Sequence, residues 1–179
     1  MSYGKIIPNL KIHGVDAPYS VINEREVRGV AGLMFLLGVV TFSVTFFTGS
    51  SFLLNIVVPI FWLEFFLKTV FQPHYSIFGF ISRAVVRKQV PEYVGVIQKR
   101  FAWSLGLFLA TAMMLVVFLF EIRGAIPITI CSICLLLMWL ESSFGICVGC
   151  KIYGFLIKKG LIKQPDVKPA CAGNVCAVK

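Results

Sequence analysis

The sequence predicts an all-α integral membrane protein whose four transmembrane helices form two hairpins. The 179 residues are 58% hydrophobic and 14% charged, with a mean hydropathy of +0.88, whereas soluble domains carry about 25% charged residues. Four apolar runs, at 29–47, 52–71, 101–120 and 126–150, come close to or exceed the ~20 residues that a helix needs to cross a bilayer. Because backbone groups in lipid must bond internally, each run is predicted to be a helix.

Positive charge predicts the orientation of these helices. Of the 17 Lys and Arg residues, four precede the first span, and six follow Cys150. Five lie between spans two and three, and a sixth, Lys68, lies in the last turn of span two. The link between spans one and two has none, and the link between spans three and four has only Arg123. Since cytoplasmic loops are enriched in Lys and Arg, both termini and the central loop are predicted to be cytosolic. We assign the charge to topology and anionic lipid, and predict no nucleic-acid partner.

The sequence also predicts how the chain divides into segments on either side of the membrane domain. Residues 1–28 form a cytosolic N-terminal segment, 29–155 the membrane domain, and 156–179 a flexible basic cytosolic tail. Within the central loop, 76–90 is predicted to be an amphipathic helix in the headgroup layer. Ile77, Ile81 and Val85 share one face there, and Arg83 and Arg87 lie towards the other. The alternative is that 76–90 is merely a basic tether between spans two and three.

The motif FGICVGC at 144–150 places Cys147 and Cys150 three residues apart; we call these two residues the CxGC pair. Residues at this spacing share a helix face, so the pair could exchange a disulfide, accept sulfur, bind a metal or simply pack. A thiolate near the C-terminal end of a continuous helix is disfavoured by the helix dipole. A break between Ser142 and Gly145 would reverse that effect, so the helix path decides between these alternatives.

Two further cysteine pairs flank this motif. Cys131 and Cys134 are predicted to be packing residues near the external side, or alternatively an accessible redox pair. Because 13 residues span about 20 Å along one helix, these two and the CxGC pair cannot share one metal if span four is continuous. Cys171 and Cys176 lie on the tail, whose ~20-residue tether reaches about 25 Å. We hypothesise that they exchange with the CxGC pair; incidental cysteines or a loose metal chelate are the alternatives.

Charged residues inside apolar spans are costly and usually functional. Glu64 has Lys68 as its i,i+4 partner. Glu141 is expected to face the bundle, with Lys68 or Arg100 as its partner, while Lys99 and Arg100 enter span three at the depth of the CxGC pair. A buried ion pair that fixes helix register is one interpretation of Glu141. A proton relay for thiol chemistry is the other.

Three segments carry a family resemblance. WLEFFLKTVFQPHYS at 62–76, QKRFAWSLG at 98–106 and ESSFGICVGCKIY at 141–153 resemble the bacterial membrane family catalogued as domain of unknown function 4395. The resemblance covers about 16–161 and implies a multi-pass protein of the bacterial inner (cytoplasmic) membrane. Because members are sometimes encoded near or fused to thioredoxin-like or rhodanese-like proteins, it also implies a partner of that kind. The motif positions that carry over are Lys99, Arg100, Phe101, Glu141, Phe144, Gly145, Cys147, Gly149 and Cys150.

These observations predict a membrane-bound thiol redox or sulfur-transfer accessory protein that uses Cys147 and Cys150, with Glu141 assisting. Whether it is an enzyme, a thiol-disulfide oxidoreductase or sulfur carrier, stays open, as does homo-oligomerisation. No cofactor is predicted. The alternatives are a metal-handling protein that holds copper, zinc or an iron–sulfur centre through cysteines such as Cys147 and Cys150, and a non-catalytic membrane scaffold.

Overall fold

A computed structural model describes residues 4–12, 15–122 and 124–162. Over these ranges, four helices are long and apolar enough to cross a membrane. They are α1 (Glu24–Thr48), α2 (Phe52–Val70), α4 (Val96–Met114, extended by a π-helical turn over Leu115–Leu119) and α5 (Ala125–Phe144). Two shorter helices are α3 (Ile77–Val86) in the central loop and α6 (Val148–Lys158) after α5. The predicted four-span helical membrane architecture is confirmed.

The first helix starts earlier than its apolar run, which was predicted to begin at residue 29. The side-chain oxygen of Asn23 accepts the N–H of Arg25 at 3.2 Å, and Glu24 and Glu26 occupy the first turn. A capping side chain and acidic residues both stabilise a helix start. They therefore extend α1 beyond its apolar run by more than one turn.

Helix packing crosses between the two hairpins. The most extensive contacts join α1 to α5 and α2 to α4, while α4 and α5 touch each other over a smaller area. Small residues allow these close approaches, as in other membrane bundles: a Cβ at Gly106 would lie 2.5 Å from the Phe65 ring. Val30, Met34 and Met138 form the buried apolar centre between α1 and α5.

The central loop contains α3, a helix over the middle of the predicted 76–90 segment. Its small face packs on α1, where the Ser82 hydroxyl donates to the carbonyl of Glu26 at 2.8 Å and a Cβ at Gly29 would collide with Ser82. Phe80 and Val85 on another face are 73% and 70% exposed. An apolar face left open in this way fits the predicted position in the headgroup layer.

Two short antiparallel strand pairs lie outside the membrane helices, a feature that the sequence did not predict. β1 (Lys11–Ile12) pairs with β2 (Val15–Asp16), and β3 (Val21–Asn23) pairs with β4 (Tyr93–Gly95). β3 leads directly into α1, and β4 directly into α4. The β3–β4 pairing therefore holds the starts of these two helices side by side.

The predicted single fourth span, 126–150, is wrong at its C-terminal end. α5 ends at Phe144, and Gly145 adopts a left-handed conformation with φ 65° that glycine tolerates best. The N–H groups of Gly145 and Ile146 close the last turn on the carbonyls of Glu141 and Leu140, each at 3.1 Å. A new helix, α6, then begins after Cys147 and runs to Lys158, past the predicted start of the tail at residue 156.

Candidate functional site

A buried cluster of charge lies where α1, α4 and α5 meet. The Lys99 ammonium is 2.9 and 3.0 Å from the two carboxylate oxygens of Glu24, and 2.6 Å from Oε1 of Glu141. Lys99 is 3% exposed and Glu24 is fully buried. One cation thus serves two carboxylates from two other helices, which we call the charge triad.

Glu141 faces the bundle as expected, but the expected partners, Lys68 and Arg100, are not the ones that the structure gives it. Lys99 takes that place because it lies on the buried face of α4. Arg100, the next residue, is exposed, and its Nε donates to the carbonyl of Thr69 at 3.1 Å. Lys68 forms its ion pair with Glu64.

The Glu64–Lys68 pair lies beside the charge triad and has its own structural partners. The two side chains are 2.9 Å apart and almost fully buried. The Glu64 carboxylate also accepts the Ser76 hydroxyl and the backbone N–H of Ile77, the latter at 2.8 Å. It therefore fixes the start of α3 against α2. The Lys68 ammonium also lies 5.7 Å from the centre of the Trp103 ring, within the range of cation–π attraction.

The break after α5 places the CxGC pair in the first turn of α6. Cys147 is the residue before the helix, Cys150 lies in its first turn, and the two free thiols lie near each other. They are 8% and 6% exposed. The positive charge of Lys99 acts on both sulfurs. The start of a helix also favours negative charge, so the structure resolves the helix-path question in favour of the break.

The resting state of Cys147 is nevertheless the neutral thiol. The neighbouring Cys150 thiol, burial, and the negative charge of Glu141 raise the pKa of Cys147 above its ordinary value, while Lys99 acts in the opposite direction. Around neutral pH the sulfur therefore keeps its proton. The nucleophile would form only when a base takes that proton during reaction.

Gly149 has a steric role in this motif. A Cβ at this position would lie 2.6 Å from the Cβ of Ala102 and 2.7 Å from its Cα. Only a residue without a side chain allows the first turn of α6 to approach α4 this closely. The Phe101 and Tyr153 rings, 5.4 Å apart, continue the same contact. The packing interpretation of the motif therefore holds for its glycine, and the two flanking thiols are held against α4.

Arg28 supports the end of α5. Its guanidinium donates to the carbonyl of Ser143 at 3.4 Å and lies about where a side chain at Gly145 would extend. Positive charge stabilises the C-terminal end of a helix. Sequence reasoning missed both Arg28 and Glu24. Their i,i+4 spacing was a signal, but the run EREVR resembles an ordinary solvated helix start.

A cavity of about 380 Å³ lies inside the bundle, lined by residues of all four spans and of α6. Most of its wall is apolar. Lys68, Glu141 and Cys147 line it near the charge triad, and Cys131 and Cys134 line it from α5. Because Cys131 and Cys134 are only half-buried, they contribute to the cavity wall as well as to helix packing.

Few metal-binding side chains lie near the cysteines in the part of the chain that the structure describes. Among the residues that the structure describes, no three His, Cys, Asp or Glu side chains are close enough together to hold an ion. Cys147 and Cys150 alone would supply two sulfur ligands, fewer than the four of structural zinc sites. The tail pair, Cys171 and Cys176, lies outside the described residues.

Comparison with known proteins gives one finding. Searches of the curated proteins and of the solved structures found no match. A family model described as Domain of unknown function (DUF4395) matches residues 22–158, which contain the charge triad and the CxGC pair. The match extends over more than half of the chain. The protein therefore belongs to the DUF4395 family.

Proposed function

We propose that this protein is a membrane-bound dithiol accessory protein in which Cys147 and Cys150 cycle between two thiols and a disulfide. One observation carries the proposal: the break at Gly145 makes both residues part of the same helix start, with two free, buried thiols near each other. Reactive Cys-x-x-Cys pairs are favoured at such helix starts. A pair required only for packing needs neither the break nor the neighbouring lysine.

The charge triad supports the exchange step. As the Cys147 sulfur attacks a partner's disulfide, its proton passes to the Glu141 carboxylate, and Lys99 stabilises the negative charge on sulfur. One partner sulfur joins Cys147, and the other leaves as a thiol with that proton. Cys150 then attacks Cys147, forms the internal disulfide and releases the second partner thiol. The chain loses two electrons and two protons, and the partner gains both.

The partner and the location follow from the basic end of the protein. We place the CxGC pair at the cytosolic face of a bacterial inner membrane, because the loop and helix starts around it carry Arg28, Arg83 and Arg87. A soluble thioredoxin-like protein fits this position. Since the cytosol keeps thiols reduced, the disulfide would be a transient intermediate.

A rhodanese-like partner would use the same residues differently. It would transfer one sulfur atom from its persulfide to Cys147 and leave its own cysteine as a thiol. Attack by Cys150 would then release hydrogen sulfide and close the disulfide. Intact-protein mass spectrometry separates the two routes, because only the second adds a sulfur atom to the chain.

Trapping tests the exchange directly. In a chain whose other four cysteines are replaced, the Cys147 thiol of Cys150→Ser should attack a thioredoxin-like protein that lacks its second cysteine and carries thionitrobenzoate in a disulfide on its first. The products should be thionitrobenzoate, followed by its absorbance, and a stable mixed disulfide between Cys147 and that protein. Cys147→Ser serves as the matched control and should trap far less. The proposal fails if neither variant is trapped and the unchanged pair also stays reduced with an oxidised partner.

A further inference from the structure

The cavity has no role in thiol exchange with a soluble protein. Its volume of about 380 Å³ falls within the range of about 300–1,000 Å³ found for small-molecule sites. It reaches the reactive pair, since Cys147 lies in its wall. A ligand in the cavity would therefore meet this sulfur from within the bundle.

The wall specifies an apolar ligand with one polar end. Met34, Phe61 and Phe65 are among the apolar residues that form most of it. Lys68 and Glu141 line the cavity together with Cys147, and the charge of Glu141 acts on both of the other residues. An ammonium donates hydrogen bonds, and a carboxylate accepts a proton. An oxygen-bearing head group would lie at this end and an apolar body along the rest.

The cavity also reaches the outside of the bundle on its lipid side. Phe108 lines the cavity and is 70% exposed, in the middle of a membrane-spanning helix. The contacts between α4 and α5 are much less extensive than those between α1 and α5. A molecule dissolved in the bilayer could therefore enter beside Phe108.

We propose, building on the thiol redox function above, that this cavity binds a quinone that oxidises the Cys147–Cys150 pair. The two S–H bonds break, one S–S bond forms, and each quinone carbonyl oxygen gains a hydrogen. The dithiol loses two electrons and two protons, and the quinone leaves as the quinol. The exchange described above, run in reverse with a reduced thioredoxin-like dithiol, then restores the two thiols and leaves the partner as a disulfide. Lys68 donates a hydrogen bond to the carbonyl oxygen, and Glu141 carries a proton from Cys147 towards it.

The chemistry favours a quinone over other apolar ligands. Both sulfurs react from a buried site, so an oxidant that takes protons together with electrons leaves no uncompensated charge behind. A fatty acid would bring a carboxylate next to the Glu141 carboxylate, and the two negative charges would repel each other. A fatty acid also cannot accept electrons from the two thiols. A bound acyl chain is therefore an outcome of the test rather than the proposal.

The test uses the full chain in lipid nanodiscs with the other four cysteines replaced. The probe is a fully ring-substituted benzoquinone with a short alkyl tail, which thiols do not arylate. We expect one quinol, followed by its absorbance, and one internal disulfide per chain. Cys147→Ser should abolish both products.

A cavity-filling variant identifies the binding site. Ala110 lines the cavity, whereas Ala112, two residues along α4, is not part of its wall. Ala110→Leu should lower the ratio of the quinone rate to the rate with diamide, a water-soluble oxidant, at least tenfold. Ala112→Leu should leave this ratio unchanged.

The outcomes separate the two proposals. A disulfide that forms with diamide but not with the quinone refutes the quinone site and leaves the thiol function standing. Equal rate ratios in both leucine variants, or copurified acyl lipid that the quinone does not displace, also refute it. Failure to form the disulfide with any oxidant refutes the thiol function itself.

Discussion

Lys99 is the residue on which the buried charges depend. It compensates two carboxylates, Glu24 and Glu141, which come from the first and fourth spans. An unpaired charge in such a place is far more costly than the pair is favourable. The triad therefore links α1, α4 and α5 through two ion pairs. A substitution at any of its three residues should change the stability of the protein as well as its chemistry.

Replacing Lys99 should destabilise the protein strongly. Lys99→Met leaves two buried carboxylates without a cation, which should cost about 3–5 kcal/mol. Arg100→Met, at the exposed neighbouring position, should cost about 1 kcal/mol or less. Unfolding by denaturant in detergent micelles measures both. Equal losses in the two variants would contradict the role assigned to the triad.

Replacing Glu141 separates architecture from chemistry. In Glu141→Gln, Lys99 keeps Glu24, and the negative charge that raises the pKa of Cys147 is gone. The pKa of Cys147 should therefore fall, and alkylation of Cys147 should become fast at a lower pH. The pH profile of iodoacetamide reaction, in a chain that keeps only the CxGC cysteines, measures this shift. A folded variant with an unchanged profile would exclude Glu141 as a proton acceptor for Cys147.

The sequence predicted some of these residues because charge inside an apolar run is conspicuous. Glu64, Lys68 and Glu141 were identified in this way. Glu24 was not, because it lies in a polar stretch and its partner is 75 residues away. Nothing local to Glu24 distinguishes it from Glu26; only the pairing of β3 with β4 brings it to Lys99.

At the scale of elements, the turn between α5 and α6 determines the site. Left-handed Gly145 ends one helix, Arg28 stabilises that end, and Cys147 begins the next helix. Apolar composition could not reveal this break, since apolar residues continue on both sides of it. From the sequence, a helix break at 142–145 was one of two alternatives. The left-handed conformation of Gly145 shows that the helix does break there.

The glycine of the motif should matter more than a second glycine in the same helix. Gly149→Ala forces α6 away from Ala102 and should destabilise the protein by about 1–3 kcal/mol. Gly154 has open space around it, so Gly154→Ala should be neutral or slightly stabilising, as expected in a helix. Thermal unfolding and the rate of alkylation at Cys150 report both effects. Faster alkylation in Gly154→Ala than in Gly149→Ala would show that α6 does not dock through Gly149.

At the scale of the whole molecule, hydropathy was sufficient for the number and order of the membrane helices. It was not sufficient for their packing, because an apolar run has no strong preference among its neighbours. The close approaches at Gly106 and Gly149 decide which helices meet. The cavity is likewise a property of the assembled bundle that no single segment encodes.

The orientation of the bundle can be tested with single cysteines in a cysteine-free chain. Ser50 lies in the link between α1 and α2, and Val90 lies in the loop after α3; both are exposed. A membrane-impermeant maleimide should label Ser50→Cys in cells with an intact inner membrane and an opened outer layer. Val90→Cys should react only after the inner membrane is permeabilised. The reverse pattern would place the CxGC pair on the external side.

The proposed thiol function requires that Cys147 and Cys150 form a reversible disulfide in the membrane-bound protein. Acid quenching of cells, followed by differential alkylation and mass spectrometry, measures the fraction of this disulfide directly. During a brief pulse of diamide we expect a peptide in which Cys147 is joined to Cys150, and we expect this peptide to disappear as the cells recover. The same result is expected when Cys131 and Cys134 are replaced by alanine. If Cys147 and Cys150 of the folded protein stay reduced throughout the pulse, the proposed thiol function is wrong.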